Sequence, residues 1–169
     1  WGGITLVIYG TRELTARTQA RDLLARAVAD HWRLSPLPEI QRLAGGKPWF
    51  PGQAGREFNL SHSGAYALCA LDSAPVGVDI QIVKNWRPAL PGRVCSREEL
   101  AWLDRQDDRW PAFAQLWALK ESRVKESGLG LTIPIPDIRI PLPDQGPLLL
   151  DGLWFRVYRG EGWAGAVCG

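Results

Sequence analysis

Four short stretches of the chain combine charges, hydroxyls, an imidazole and glycines among apolar neighbours. The densest is LWALKESRVK, residues 116–125, where Lys120, Glu121 and Lys125 stand close to Leu116, Trp117 and Leu119. On a helix, Trp117, Glu121 and Lys125 follow one another at i, i+4 and lie along one stripe. As a solvated pair, Glu121 and Lys125 would be worth ~0.2–0.5 kcal/mol and need no function. As a stripe facing a cleft, they are a carboxylate and an ammonium held one turn apart. Lys120 points about a quarter-turn away and keeps a second positive charge at the same level.

The second stretch is VGVDIQ, residues 76–81. In a strand, Val76, Val78 and Ile80 take one face, which leaves Gly77, Asp79 and Gln81 on the other. Aspartate is disfavoured within strands, so Asp79 is either a strand-end turn cap or a ligand. As a ligand it would share a metal with Glu121, because Mg²⁺ is usually held by one or two carboxylates plus substrate phosphates. The third stretch, FNLSHSG (58–64), interrupts a strand pattern with Ser61, His62 and Ser63. A lone histidine is more often structural, and two histidines in the whole chain make a poor zinc site. Beside hydroxyls and backbone N–H groups, His62 is also suited to hydrogen-bonding a phosphate. Ser61 and His62 point to opposite faces of a regular strand and therefore form no nucleophile–base pair. In the fourth stretch, GGKPWF (45–50), the glycines permit close backbone approach and Lys47 supplies a point charge. The GxxxxGK[ST] spacing of a Walker loop is missing.

The elements that must position these residues are short. Ile4–Tyr9 (ITLVIY) reads as a strand, and Glu13 to about Trp32 as a helix with Leu14, Leu23, Leu24, Ala27 and Val28 on its apolar face. That helix stops before SPLP, where prolines deny it continuation. FNLSHS, AYALCAL and VGVDIQIV read as three strands in a meander or hairpin arrangement, and residues 84–95 as a connection. Ser96 starts a helix through a capping box with Glu99. Pro111 opens the long helix that carries LWALKESRVK, and Gly128 or Gly130 closes it. DIRIPL, WFRVYR and GWAGAVCG then read as strands around turns. Helix followed by strands, twice, indicates an α+β fold with a crude internal duplication.

Composition narrows the function classes. The 169 residues fit one ordinary domain or two small lobes, with 46% hydrophobic and 22% charged residues. A net charge of +2 is too mild for a nucleic-acid coat, although nine tryptophans would suit a stacking surface. The three cysteines, Cys69, Cys95 and Cys168, form no CxxC pair, as expected of reduced thiols in a cytoplasmic protein. No apolar run approaches the ~20 residues of a membrane span, and no signal peptide is apparent. A chain without methionine does not include its own start residue, so Trp1 is not expected to be the biological N-terminus.

Taken together, GKPWF, FNLSHSG, GVDIQ and WALKESRVKESGLGL resemble one family in order and approximate spacing. They are similar to the GKP loop, the FN-[hydrophobic]-SHS segment, the G-[VI]-D strand and the W-x-x-KE-[SA]-x-x-K helix of the Sfp-type 4′-phosphopantetheinyl transferases. The likeness runs from about Thr15 to the end of the chain. It implies Mg²⁺-dependent transfer of the phosphopantetheine arm of coenzyme A to a serine of an acyl- or peptidyl-carrier protein, releasing 3′,5′-ADP. It further implies a cytoplasmic monomer of two similar lobes, residues 1–83 and 84–169, with the ligands in the cleft between them. Nucleic acid and membrane are not among the expected partners.

By the same resemblance, Asp79 and Glu121 match the metal-binding acids, and Glu121 is also a candidate base. Lys125 matches the lysine near the pyrophosphate, and Ser61 with His62 the contact to the 3′-phosphate. Lys47 and Pro48 match the loop beside the adenine end; Arg17 and Thr18 match a pair near the 3′-phosphate. There are two departures. Gln81 stands where many relatives have an acid, so it would meet the metal only as a neutral oxygen or through water. Before the first helix the chain offers only Arg12 where larger relatives carry a basic stretch. A protein that binds coenzyme A or a carrier protein but has lost turnover is the alternative.

Overall fold

The computed structural model describes residues 6–144 and 148–169. Ile4 and Thr5 of the expected first strand, and Trp1, lie outside the described residues. The strand that remains, β1 (Val7–Thr11), is followed by helix α1 (Gln19–Trp32) and a two-stranded ribbon of β2 (Gln41–Arg42) and β3 (Pro48–Trp49). The helix starts later than its apolar pattern suggests. The Gln19 side chain accepts the amides of Thr15 and Ala16, and the Leu14 amide is tied to the carbonyl of Ala65, so residues 13–18 are held in a turn. At the other end Arg33 takes a left-handed conformation before the prolines.

The first sheet has the order β1–β5–β4, all antiparallel, with β4 at Glu57–Ser63 and β5 at Tyr66–Asp72. The β4–β5 loop has two residues, and Gly64 supplies the positive φ (54°) that such a hairpin requires. β5 is apolar on both faces because both are covered. Cys69 and Leu71 pack under Leu24, Ala27 and Val28 of α1, whereas Leu68 and Ala70 pack against Val76, Val78, Ile80 and Val167 of the second half.

The second half has short helices α2 (Pro91–Val94) and α3 (Arg97–Leu103), the long helix α4 (Arg109–Ser127) and a sheet of order β6–β9–β8–β7. The strands are β6 (Gly77–Ile82), β7 (Leu149–Leu150), β8 (Leu153–Gly160) and β9 (Trp163–Cys168). The capping box of Ser96 and Glu99 is present, and Gly128 closes α4 in a left-handed conformation. Each half thus sets one long helix on one antiparallel sheet, an α+β architecture.

Two expectations need correction. β6 does not extend a meander with β4 and β5; it pairs with β9. On its other side, the amides of Val78, Ile80 and Ile82 donate to the side chains of Asn59, Ser61 and Ser63. Polar side chains at alternate positions of β4 replace a backbone ladder, so the two sheets meet across a seam of side chains. β6 therefore lies before the 83/84 division yet belongs by pairing to the C-terminal sheet. The second correction is DIRIPL. It is a 3₁₀ turn (Ile135–Asp137) leading into unpaired extended chain, with Ile138, Ile140 and Leu142 buried. Pro136, Pro141 and Pro143 remove ladder donors, and cations of α4 take the carbonyls of Ile138 and Arg139.

Among the described residues no helix is long and apolar enough to cross a membrane. Of the tryptophans there, only Trp49 is exposed; Trp86, Trp110 and Trp117 surround Phe113 in the core of the second half. They pack the core of the second half.

Candidate active site

α4 lies directly on β6. A Cβ at Gly77 would stand 1.9 Å from the carbonyl oxygen of Ser122, so glycine is what permits this approach. It brings one stripe of α4 over the polar face of β6. Lys125 Nζ donates to Asp79 Oδ1 at 2.6 Å, to Ser61 Oγ at 3.1 Å and to the Val78 carbonyl at 3.1 Å. Ser61 Oγ donates to the same Asp79 oxygen at 2.9 Å, and Gln81 Nε2 donates to Asp79 Oδ2 at 2.6 Å. Asp79 is 3% exposed, and both of its oxygens are engaged. Glu121, half-buried one turn before Lys125, has its carboxyl held above the ordinary range. Burial is the main cause, the charge of Asp79 adds to it, and Lys125 opposes it.

Lys125 also lines a cavity of ≈570 Å³. Around it stand Arg17, Arg21, Arg42, Lys47 and His62, with Pro48 and the apolar side chains of Leu24, Ile40 and Phe58; among the described residues no carboxylate lines it. The cations come from three elements and the turn before α1. The Lys47 ammonium is buried and donates to the carbonyl of Glu126 at 2.8 Å, which fastens the glycine loop to the last turn of α4. Burial lowers its pKa, with Glu57 and Glu126 opposing.

The structure sorts the candidates into three groups. Asp79, Gln81, Ser61 and Lys125 form one hydrogen-bonded cluster, with Glu121 electrostatically coupled to it. Arg17, Lys47, Pro48 and His62 line the cavity, and Lys125 joins the two groups. Thr18 does neither: it is the exposed residue preceding α1 and makes no side-chain capping bond. Ser61 and His62, paired in the sequence reading as one contact, are parted by strand alternation. The Ser61 hydroxyl is buried on Asp79 and the His62 side chain is exposed at the cavity. Lys120, expected as a second charge beside Glu121, lies in the core instead. It is 2% exposed, paired with Glu99 at 3.0 Å and bonded to the carbonyls of Ile135 and Ile138.

Arg21 and Arg42 escaped the sequence reading. Arg21 follows Arg17 at i+4, so the two share a helical side, a signal that was available. Arg42 gave none, because its place depends on the ribbon folding back so that its guanidinium meets the Gly46 carbonyl.

The donor set suits Mg²⁺. Asp79 and Glu121 are two coupled carboxylates, and a divalent cation would offset both the burial and the Asp79 charge that disfavour an ionised Glu121. No cluster of three His, Cys, Asp or Glu side chains exists among the described residues, so any ion here would complete its shell with amide, water or phosphate oxygens.

Comparison with known proteins supplies the family. The profile of the 4′-phosphopantetheinyl transferase superfamily matches residues 75–168. A 4′-phosphopantetheinyl transferase of Bacillus subtilis is 34% identical over 146 residues, covering 83% of this chain and 64% of that protein. The 4′-phosphopantetheinyl transferase Sfp of Bacillus subtilis strain 168 is 31% identical over 144 residues, with the same coverage. The 4′-phosphopantetheinyl transferase AcpT of Salmonella typhimurium is 41% identical over 114 residues, covering 64% of this chain and 56% of its own. The chain thus spans 56% to 64% of the length of these relatives. With a profile match over more than half of its residues, the chain belongs to the 4′-phosphopantetheinyl transferase superfamily.

Proposed function

We propose that this protein transfers the 4′-phosphopantetheine arm of coenzyme A to a serine of an acyl- or peptidyl-carrier protein, releasing 3′,5′-ADP. The observation that carries the proposal is the cavity that, among the described residues, is lined by five cationic side chains and no acid, joined through Lys125 to the Asp79–Glu121 pair. Such a lining suits a ligand with several phosphates, and ≈570 Å³ lies within the ~300–1,000 Å³ usual for small-molecule sites.

In this reading Arg17, Arg21, Arg42 and His62 bind the 3′-phosphate end, and Pro48 with the apolar wall of Leu24, Ile40 and Phe58 takes the base. Bound Mg²⁺, held by Asp79 and Glu121 with Gln81 directly or through water, would neutralise charge on the pyrophosphate. Lys125 stabilises the charge that develops on the phosphate oxygens as the pyrophosphate bond breaks. The serine oxygen bonds to the phosphorus bearing the pantetheine arm, and the departing electron pair leaves with 3′,5′-ADP. Glu121 takes the serine proton directly or through water. The three free, buried cysteines support a reducing, cytoplasmic setting, and the resemblance supports a monomer.

The test is intact mass. Apo carrier protein incubated with the protein, coenzyme A and Mg²⁺ should gain one phosphopantetheine unit. Carrier proteins of fatty-acid, polyketide, peptide and siderophore assembly, tried in parallel, would identify the acceptor. Binding of coenzyme A without a mass gain on any of them would favour a non-catalytic binding protein.

A further inference from the structure

A lysine ammonium has three N–H donors. In Lys125 all three are spent within the protein, on Asp79, Ser61 and the Val78 carbonyl. The residue lines the cavity, but its ammonium has no donor left for a phosphate. Asp79, in turn, already has a cation on it. Mg²⁺ binds carboxylate oxygens at about 2.0–2.1 Å. An ion sharing Asp79 Oδ1 with the ammonium at 2.6 Å would lie within about 4.7 Å of it, two cations on one buried carboxylate.

We propose that Lys125 is a built-in occupant of the cation position at Asp79. Without metal it neutralises the aspartate and, together with Ser61, holds Asp79 Oδ1 at the seam. When a divalent cation takes Asp79 and Glu121, Lys125 is displaced into the cavity, and the displacement delivers its ammonium to the pyrophosphate. The four-carbon stem lets the head move while its Cα stays fixed on α4. Ser61 is then a positioning residue: it donates to Asp79 while accepting from Lys125 and from the Ile80 amide, which anchors the pair to β6. Metal binding and lysine release become one event, so the phosphate-binding lysine is presented only when the metal is in place. This inference rests on the proposed assignment of Asp79 and Glu121 to the metal.

Lysine reactivity tests it on the unmodified protein. Reductive dimethylation with formaldehyde and a borane is followed peptide by peptide by mass spectrometry, without metal, with Mg²⁺, and with Mg²⁺ plus coenzyme A. Calorimetric titration measures Mg²⁺ binding in parallel. Lys125 should react slowly without metal, severalfold faster with Mg²⁺, and slowly again once coenzyme A is added. Lys47, bonded to the Glu126 carbonyl and not to Asp79, should show no Mg²⁺ step. Bound Mg²⁺ with unchanged or slower Lys125 labelling would overturn the displacement. A rise with Mg²⁺ that persists after coenzyme A is bound would overturn delivery to the pyrophosphate. A titration that detects no Mg²⁺ binding would remove the metal assignment itself, and the inference with it.

Discussion

Lys120 and Lys125 share one helix and do opposite things. Lys125 reaches the polar seam over β6; Lys120 is sunk in the core against Glu99, the same side chain that closes the α3 capping box by accepting the Ser96 amide. One carboxylate thereby fixes the start of α3 to the middle of α4. Lys120→Met should cost about 3–5 kcal/mol, because it leaves a buried carboxylate without its cation. Adding Glu99→Gln should recover a large part, since the amide still accepts from Ser96 and carries no charge. Urea unfolding of both variants checks this, and a single variant within 1 kcal/mol of wild type would show that the pair is not coupled. At the working end, Glu121→Gln should lower transfer at least ~100-fold while leaving melting nearly unchanged, because it removes metal charge and the base but keeps shape and helix propensity. Wild-type-like turnover at saturating Mg²⁺ would sink this assignment.

Between elements, the contact that matters most is α4 on β6, and Gly77 sets its closeness. Gly77→Ala would place a methyl group 1.9 Å from the Ser122 carbonyl oxygen and 2.4 Å from the Glu126 amide nitrogen. Both are backbone atoms of a packed helix, so α4 itself must shift. A loss of about 3 kcal/mol is expected, together with weaker transfer, because Glu121 and Lys125 ride on the displaced helix. Unchanged stability and activity would mean that the helix has room to yield. The seam between β4 and β6 works on the same scale. Asn59, Ser61 and Ser63 stand at alternate positions of β4 and accept the β6 amides. The side chains that join the sheets also floor the site, so the elements cannot part without disassembling it.

At the scale of the whole molecule, the cavity exists only because the two halves close on each other: cations come from α1 and the turn before it, from the ribbon and from α4. Packing within each half buries Cys69 under α1 and Cys95 and Cys168 in the core of the second half, and their thiol pKa values are pushed up to about 12, chiefly by burial. Each is an acid whose folded pKa exceeds its unfolded value of 9.0, so the associated stability is intact below pH 9 and is lost as pH rises toward 12. The expected slope is about 1.4 kcal/mol per pH unit for each thiol within that window. Native protein at pH 8 should accordingly react with Ellman's reagent far more slowly than protein in urea. Cys69→Ala should flatten the alkaline fall in the urea midpoint, and an unchanged slope would show that Cys69 does not stay protonated in the folded state.

Local patterns determined a good deal. Apolar spacing and caps marked α4, the capping box marked α3, and a Ser-Gly turn between β-rich runs marked the β4–β5 hairpin. The residue types in four stretches, in their order, indicated the family. Periodicity also separated Ser61 from His62, because neighbours in a strand face opposite ways. What it leaves open is what each face meets. That Lys120 enters the core while Lys125 reaches Asp79 depends on how α4 is rotated against β6 and on where the chain after α4 returns. The bonds that build the site join residues far apart in the chain, Lys125 to Ser61 across 64 positions and Lys47 to Glu126 across 79. Such pairs are selected when the two halves bury their apolar faces on each other, and a local pattern, which spans a few turns of helix or one strand, does not encode that docking.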